Sequence, residues 1–376
     1  MKPNPLLMNA PPVKKWLHIE PDRRIIAVSD IHGNLPYLRG LLEKCAFSEK
    51  DVLILVGDML EKGPDSLGTL RYVMDLSQRY EVHALCGNCD FWQNFCDLPD
   101  NPEQDAFYLQ YLVGRNKGWG DGVIAQMLHL LNIEIRPDMD LKAAKAAVRD
   151  NFQPELDFLR ALPHILETED YTFVHGGLMP GKGAFQHMKI DAYRTIAKPH
   201  EKWTIVGHWP LVLYGGDITD ARPIIDEDLK LISIDGGCVL KDDGQLNALF
   251  LPDMTWTSYD RFPIARVKSG QAASQSHYYI RHGDNKVEIL SEGGEFCRVR
   301  HIRTGYEMDI LSCNILVREG NIALINDVTD YMLPLDAGDE ISIVRKTSRG
   351  WQCKKDGISG WYVGEIEYAS GTESDP

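Results

Sequence analysis

Six residues with metal-donor side chains, Asp30, His32, Asp58, Asn88, His175 and His208, close apolar runs in five short polar segments. The segments are Ser29-Asp30-Ile31-His32-Gly33-Asn34, Gly57-Asp58, Gly87-Asn88-Cys89-Asp90, His175-Gly176-Gly177 and Gly207-His208. Carboxylate, amide oxygen and imidazole are donors that suit Mn, Fe or Zn. A glycine beside nearly every one lets backbone and ligand crowd together. Any one of these residues alone is an ordinary turn or polar residue; together, in order, they read as a dinuclear metal centre. Asp58 is its natural bridge, Asp30 and His32 can hold one ion, and Asn88, His175 and His208 the other. Two such ions lower the pKa of a bridging water toward neutrality and clamp phosphoryl oxygens, which makes in-line hydrolysis of a phosphoester the natural reaction.

The residues that must carry these donors are apolar runs of strand length ending at Gly, Asp, Asn or Pro: 24–30, 51–58, 81–88, 171–177, 202–208, 229–235 and 246–252. Helical patterns separate the early ones. Asn34 can cap a helix with Pro36 in its first turn, and Asp65 or Ser66 can start another through Tyr80. Strand, loop, helix and strand in alternation predict α/β layering with ligands at strand ends. The interval of about 97–162 reads as several helices, either a cap over the site or packing on the sheet's flank.

The chain has 376 residues, 44% hydrophobic and 25% charged, enough for a full core and two or three domains. A net charge of −15 argues against a nucleic-acid surface or an anionic membrane surface and confines phosphate binding to the metal site. Eight scattered cysteines lack the spacing of a disulfide scaffold, and no apolar stretch reaches membrane-span length, so a cytoplasmic protein is expected. Cys86 and Cys89 with Cys96 can be read as half a zinc or redox site, but no second CxxC exists and Cys86 is better read as core. His83, His129 and His164 are read as packed or surface residues.

After Pro252 the pattern changes to short β-like runs. Residues 283–315 align with 338–366: a Gly-Asp, a β run, an aromatic at Phe296 or Trp351, and a Gly-aromatic pair at Gly305-Tyr306 or Gly360-Trp361. The repeat resembles tandem SH3-like barrels. The expected partition is a catalytic domain over 1–256 and SH3-like modules over 257–318 and 319–370. Trp351 and Trp361 can line a groove for a protein or peptide partner, or form barrel core.

The five segments, SDIHG, GDMLEKG, GNCD, HGG and GH, resemble those of calcineurin-like metallophosphoesterases, and within them the bacterial PPP-type phosphatases. The stretch from Ile234 to Cys238 with Gln245 to Leu249 resembles the ending of bacterial PPP enzymes and diadenosine-tetraphosphate hydrolases. The resemblance spans about 24–252. It implies a four-layer sandwich of two β-sheets flanked by helices, with metal binding by Asp30, His32, Asp58, Asn88, His175 and His208. It also implies a substrate role for Asn88 and a phosphate contact by an arginine between the last two histidines, an interval where Arg194 falls. Arg115 is a further candidate. Asp235 is read as supporting the site.

Three positions depart from the family pattern. Its acid–base histidine is Cys89 here, the aspartate that partners it is Glu61, and its phosphate-gripping arginine is Lys62; Asp90 replaces a glutamate. A thiol with a pKa of about 8.5 is a weaker choice of acid for a poor leaving group, and a lysine meets phosphate as a point charge rather than a bidentate fork. Cys89, Glu61, Lys62 and Asp90 are therefore the candidate catalytic set, with Lys62 also on the phosphate. The expectation is a phosphomonoesterase with two divalent ions and a metal-bridged hydroxide, acting on a phosphorylated small molecule or phosphoprotein and favouring aryl phosphates. A phosphodiesterase or dinucleoside-polyphosphate hydrolase is the first alternative. A phosphate-sensing binding protein acting through its SH3-like modules is the second.

Overall fold

A computed structural model describes residues 10–114, 119–317 and 322–369. The chain divides into two compact units. The first holds residues up to 211, 223–240 and 244–260; the second holds 212–222, 241–243 and 261 onward.

In chain order the first unit begins with β1 (Lys14–Trp16), β2 (Ile25–Val28), α1 (Leu35–Lys44), β3 (Val52–Leu55), α2 (Ser66–Arg79) and β4 (Val82–Ala84). Five helices follow: α3 (Asn94–Asp97), α4 (Pro102–Gly114), α5 (Val123–Leu130), α6 (Leu141–Asn151) and α7 (Gln153–Arg160). Then come β5 (Ile165–Glu167), β6 (Tyr171–Val174), the short α8 (Ala184–Met188) and β7 (Trp203–Val206). The chain next forms β8 (Thr219–Asp220) within the second unit and returns for β9 (Ile224–Asp226), β10 (Leu231–Ser233), β11 (Leu246–Leu251) and β12 (Thr255–Tyr259).

Two sheets result, in the orders β1-β5-β6-β7-β10-β9 and β12-β11-β2-β3-β4. The strands β2, β3 and β4 run parallel, as do β6, β7 and β10. Parallel strands buried on both faces read as continuous apolar runs, which is why IIAV and VLIL show no alternation in sequence. Their alternation appears only in packing. Ile25, Ala27, Val52 and Ile54 meet Leu166, Phe173, Ile205 and Ile232 in one core between the sheets, while Ile26, Val28, Leu53 and Leu55 pack against the helices. Period-2 side-chain direction therefore converts four-residue strands into the centre of a sandwich. The protein has the α/β metallophosphoesterase architecture, followed by an all-β C-terminal region.

Asp65 caps α2, accepting a hydrogen bond from the Gly68 N–H at 2.8 Å. Asn34 precedes α1 without a side-chain cap bond; its Nδ2 instead approaches Cys238 Sγ at 3.6 Å. Among the described residues, no helix is long and apolar enough to cross a membrane.

The second unit continues with β13 (Ile264–Val267), β14 (Tyr279–Ile280), β15 (Lys286–Ser291), β16 (Phe296–His301), β17 (Glu307–Leu311), β18 (Ile315–Val317) and β19 (Ile322–Ile325). It ends with β20 (Val328–Thr329), β21 (Glu340–Thr347), β22 (Gly350–Lys355), β23 (Ile358–Tyr362) and β24 (Ile366–Tyr368). The sheets β17-β16-β15-β19-β18 and β24-β13-β21-β22-β23-β8 each contain an antiparallel meander at the aligned repeats. Both meanders break register in the first strand, between Ile289 and Ser291 and between Ile343 and Arg345. A bulge at matching positions strengthens local twist in the same place. β13 lies in the first stretch by sequence, yet it pairs with β21 and β24. Trp351 and Trp361 are half-buried, and their indole N–H groups donate to the backbone oxygens of Gly364 and Thr329 at 3.2 and 2.7 Å.

Candidate metal centre

The loops that leave β2, β3, β4, β6 and β7 converge because their backbones are tied to one another. The Asp30 N–H donates to Gly57 O at 3.1 Å, His32 N–H to Asp58 O at 2.9 Å, and Gly207 N–H to His175 O at 2.9 Å. Asp30, His32, Asp58 and His208 have φ of 55°, 51°, 51° and 68°, a region that non-glycine residues rarely occupy. Such conformations persist where the surroundings over-determine them and cluster at functional sites. The glycines explain how the loops come so close. A Cβ on Gly57 would sit 2.8 Å from the His175 ring, one on Gly87 would overlap Asp58, and one on Gly207 would overlap the Asp30 carboxylate.

Second hydrogen bonds orient the histidines. His175 Nδ1 donates to Val56 O at 2.8 Å, which leaves Nε2 facing Asp58 Oδ1 at 3.3 Å. His32 Nδ1 lies 3.3 Å from Leu60 O, and its Nε2 lies 3.7 Å from Asp30 Oδ1 and 3.8 Å from Asp58 Oδ2. His208 Nε2 meets Asp191 Oδ1 at 3.0 Å, leaving Nδ1 as its other ring donor. Among the described residues, two donor groups form, each with its atoms within 4.8 Å of one another: His32, Asp58 and Cys89, and Asp58, His175 and His208. Asp58 belongs to both, as a bridging carboxylate would.

A metal fits this pocket on its own chemistry. Among the described residues, Asp30 Oδ1 and Asn88 Oδ1 are buried without a hydrogen-bond partner, and His175 Nε2 has Asp58 Oδ1 at 3.3 Å, an arrangement that is costly unless something else meets them. Burial lifts Asp30 to about 6, and Asp58 adds to it. Burial likewise lifts Asp90 to about 7 and Asp235 to about 8, with Asp58 and Asp30 respectively reinforcing it. Burial resists charge on His175, but Asp58 and Asp30 outweigh it and raise His175 to about 10. The same attraction holds Asp58 well below the usual carboxylate range against its burial. Burial and the nearby Lys62 ammonium push His32 down to about 3. Buried carboxylates crowded together, one of them drawing a proton onto His175 while His32 stays neutral, are what a divalent cation resolves.

The remaining candidate residues fall in different places. Asn88 lies beside Cys89, its Nδ2 3.3 Å from Cys89 Sγ, and the Cys89 N–H donates to Asp58 Oδ1 at 2.8 Å. Burial, then Asp58, pushes the Cys89 thiol well above its ordinary range. Asp90 ties two loops, accepting from Leu60 N–H at 3.1 Å and Gly87 N–H at 2.9 Å. Lys62 Nζ lies 3.4 Å from His32 Nε2. Glu61 turns to the helical segment, where Oε1 accepts from Val123 N–H at 2.9 Å and Oε2 from Tyr111 O–H. Arg194 donates to Asp226 Oδ2 at 2.8 Å. Asp235 is buried, and its Oδ1 accepts from Gly237 N–H at 2.8 Å. Arg115 lies outside the described residues. Cys86 is buried and, among the described residues, belongs to neither donor group.

Sequence reasoning missed Asp191 and Tyr111. Neither sits in a motif, and each is joined to its partner only by the fold.

Residues 23–232 match the family model described as calcineurin-like phosphoesterase. A symmetrical bis(5'-nucleosyl)-tetraphosphatase of Nitrosospira multiformis is 37% identical over 95 residues, 21% of this chain and 34% of that protein. Another, from Aeromonas salmonicida, is 55% identical over 64 residues, 17% of this chain and 23% of that protein. The chain thus matches about a third of the length of the first of these relatives and less than a quarter of the second. Among solved structures, a cold-active protein-tyrosine phosphatase of a Shewanella species aligns with 16% identity, covering 69% of this chain and 86% of that one at a TM-score of 0.40. A metallophosphoesterase from Sphaerobacter thermophilus aligns with 17% identity over 63% and 88% at a TM-score of 0.39. With more than half of its length matched by the family model and the donor groups gathered at the strand ends, the chain belongs to the calcineurin-like phosphoesterase family.

Proposed function

We propose that the protein is a metal-dependent phosphomonoesterase that favours good leaving groups such as aryl phosphates. Asp30, His32 and Asp58 would hold one divalent ion, and Asp58, Asn88, His175 and His208 the other. Bound there, two such ions supply an acidified water and neutralise phosphoryl charge. The chain's own residues then decide what can leave. Asp58 and Asp90 hold the loops in register, and Lys62 offers an ammonium to the phosphate.

The observation that carries the leaving-group preference is the residue type at the family's acid–base position: Cys89, a thiol in place of an imidazole, with its backbone N–H tied to Asp58 Oδ1. A donor so weakly acidic gives little help to an alkoxide, whereas a phenolate leaves without a proton. Glu61, bound to Tyr111 and Val123, stands apart from the usual dyad.

A second reading, hydrolysis of a dinucleoside polyphosphate, is favoured by the similarity to the symmetrical tetraphosphatases over 64 to 95 residues. Its nucleotide product is also a good leaving group. A panel of phosphotyrosine and phosphoserine peptides, mono- and bis-aryl phosphates and diadenosine tetraphosphate, each with Mn, Fe and Zn, tests both readings. The aryl monoester should turn over at least about tenfold faster than phosphoserine, and Cys89→His should narrow that gap by restoring a competent acid. Equal turnover of the two peptides by the wild type defeats the leaving-group argument, and full activity in Asp58→Asn defeats the dinuclear assignment.

A further inference from the structure

Glu61 and Lys62 are consecutive non-glycine residues with φ of 73° and 68°. Two left-handed residues in a row are strained and persist only under external restraint. The restraint comes from the helical segment. Besides the two bonds to the Glu61 carboxylate, the Gly120 N–H donates to Lys62 O at 3.0 Å. Gln126 accepts from Leu67 N–H at 2.7 Å and donates to Pro64 O at 3.2 Å. A Cβ on Gly120 would overlap the Gly63 carbonyl, and one on Gly122 would press on the Glu61 carboxylate. Glu61 is 2% exposed and meets the first residue of α5, where a carboxylate is favoured by the helix dipole. From the same backbone, Lys62 extends the other way to reach His32 Nε2 at 3.4 Å.

We infer that Glu61 is a positioning residue that acts through Lys62, and that Tyr111, Gly120 and the N-terminus of α5 form the clamp that aims the lysine at the phosphate. The inference rests on the phosphoesterase reading above. It adds a third role to the two expected of the 97–162 interval, cap or packing. A lysine has a flexible four-carbon stem and no fork to fix its approach to a phosphate. Its aim must therefore come from the backbone that carries it, and here that backbone is held from outside the loop. Without Glu61 the Lys62 residue can relax from its left-handed conformation, and its ammonium leaves the site.

Inorganic phosphate is the probe, as an inhibitor of aryl-phosphate hydrolysis by the full manganese-loaded chain. Lys62→Ala, Glu61→Ala, Tyr111→Phe and the Glu61/Lys62 double variant are compared, with thermal melts alongside. Glu61→Ala should weaken phosphate inhibition and raise KM by roughly 10- to 100-fold, the scale of an ångström-size misplacement. In the Lys62→Ala background the same change should have almost no further effect. Tyr111→Phe should give a smaller weakening of the same kind, and it carries the test if Glu61→Ala fails to fold. A Glu61 or Tyr111 effect that is undiminished without Lys62, or unchanged phosphate inhibition in a folded Tyr111→Phe variant, overturns the inference while hydrolysis by the wild type still stands. A wild type that neither hydrolyses aryl phosphate nor binds phosphate overturns the underlying reading as well.

Discussion

Gly87→Ala is a one-carbon perturbation aimed at the bridging carboxylate. Gly87 lacks the positive φ that would add backbone strain, so the effect of a Cβ there is purely steric. That carbon would lie 3.0 Å from Asp58 Cα and closer still to the Asp58 backbone nitrogen and Oδ1. Relief to ordinary contact requires about an ångström of movement in one of two loops that share the bond from Cys89 N–H to Asp58 Oδ1. Overpacking of this kind costs about 1–3 kcal/mol, and an ångström at a reacting centre costs roughly 100-fold in rate. The variant should therefore unfold at lower urea, bind manganese more weakly and lose about two orders of magnitude in aryl-phosphate hydrolysis. Gly294→Ala is the control, since nothing lies within 4 Å of its Cβ position and its φ is ordinary. Calorimetric metal titration, hydrolysis and urea unfolding are read on both. Wild-type metal affinity and rate in Gly87→Ala would refute the claim that the glycine exists to let Asp58 sit where it does.

Two further outcomes follow from the surroundings of the site. Asp191→Ala should weaken manganese binding by about tenfold, the low end for a carboxylate that orients a ligating histidine, because the Asp191 side chain is 62% exposed; unchanged affinity by calorimetry would remove it from that role. The metal-free protein should lose stability as pH rises from 7.5 to 8.5. Asp235 holds its proton to about 8 and His175 to about 10, both above their unfolded values, so the folded state binds more protons in that window; Asp30 and Asp90, raised to about 6 and 7, have released most of theirs below it. His32, lowered to about 3, and His83, His164, His187, His200 and His208, also lowered by burial, act in the opposite sense near and below their unfolded pKa. The decline should be on the order of 1 kcal/mol per pH unit for each proton held. Manganese replaces those protons and should flatten it. Melts with chelator that rise toward pH 8.5 would contradict the electrostatics.

The donor residues were legible because each must follow an apolar strand and sit beside a small residue, and both constraints leave a mark in sequence. The direction of Glu61 was not. Its family position suggested a partner for Cys89, and only the fold brings Tyr111 and Val123, 50 and 62 residues away, to its oxygens. Arg194 failed to announce its partner for the same reason, since Asp226 lies 32 residues on with no shared motif. The repeat of the C-terminal region was visible in its aromatic and glycine spacing. The pairing of β13 was not, because side-chain alternation fixes which face is buried and says nothing about which strand lies alongside.

The path of the chain between its two units bears on how the protein is made and how it can be cut. The last segment of the first unit ends at residue 260, so all of that unit has been synthesised before most of the second exists. β8 has by then already been made, yet its partners Ile358 and Ser359 lie in β23, which is synthesised much later. β13 likewise precedes β21 and β24 by the whole of the intervening sheet. A gene truncated after residue 260 does not remove a tail: it strands Thr219 and Asp220 with an unpaired strand edge, the kind of surface that recruits other chains.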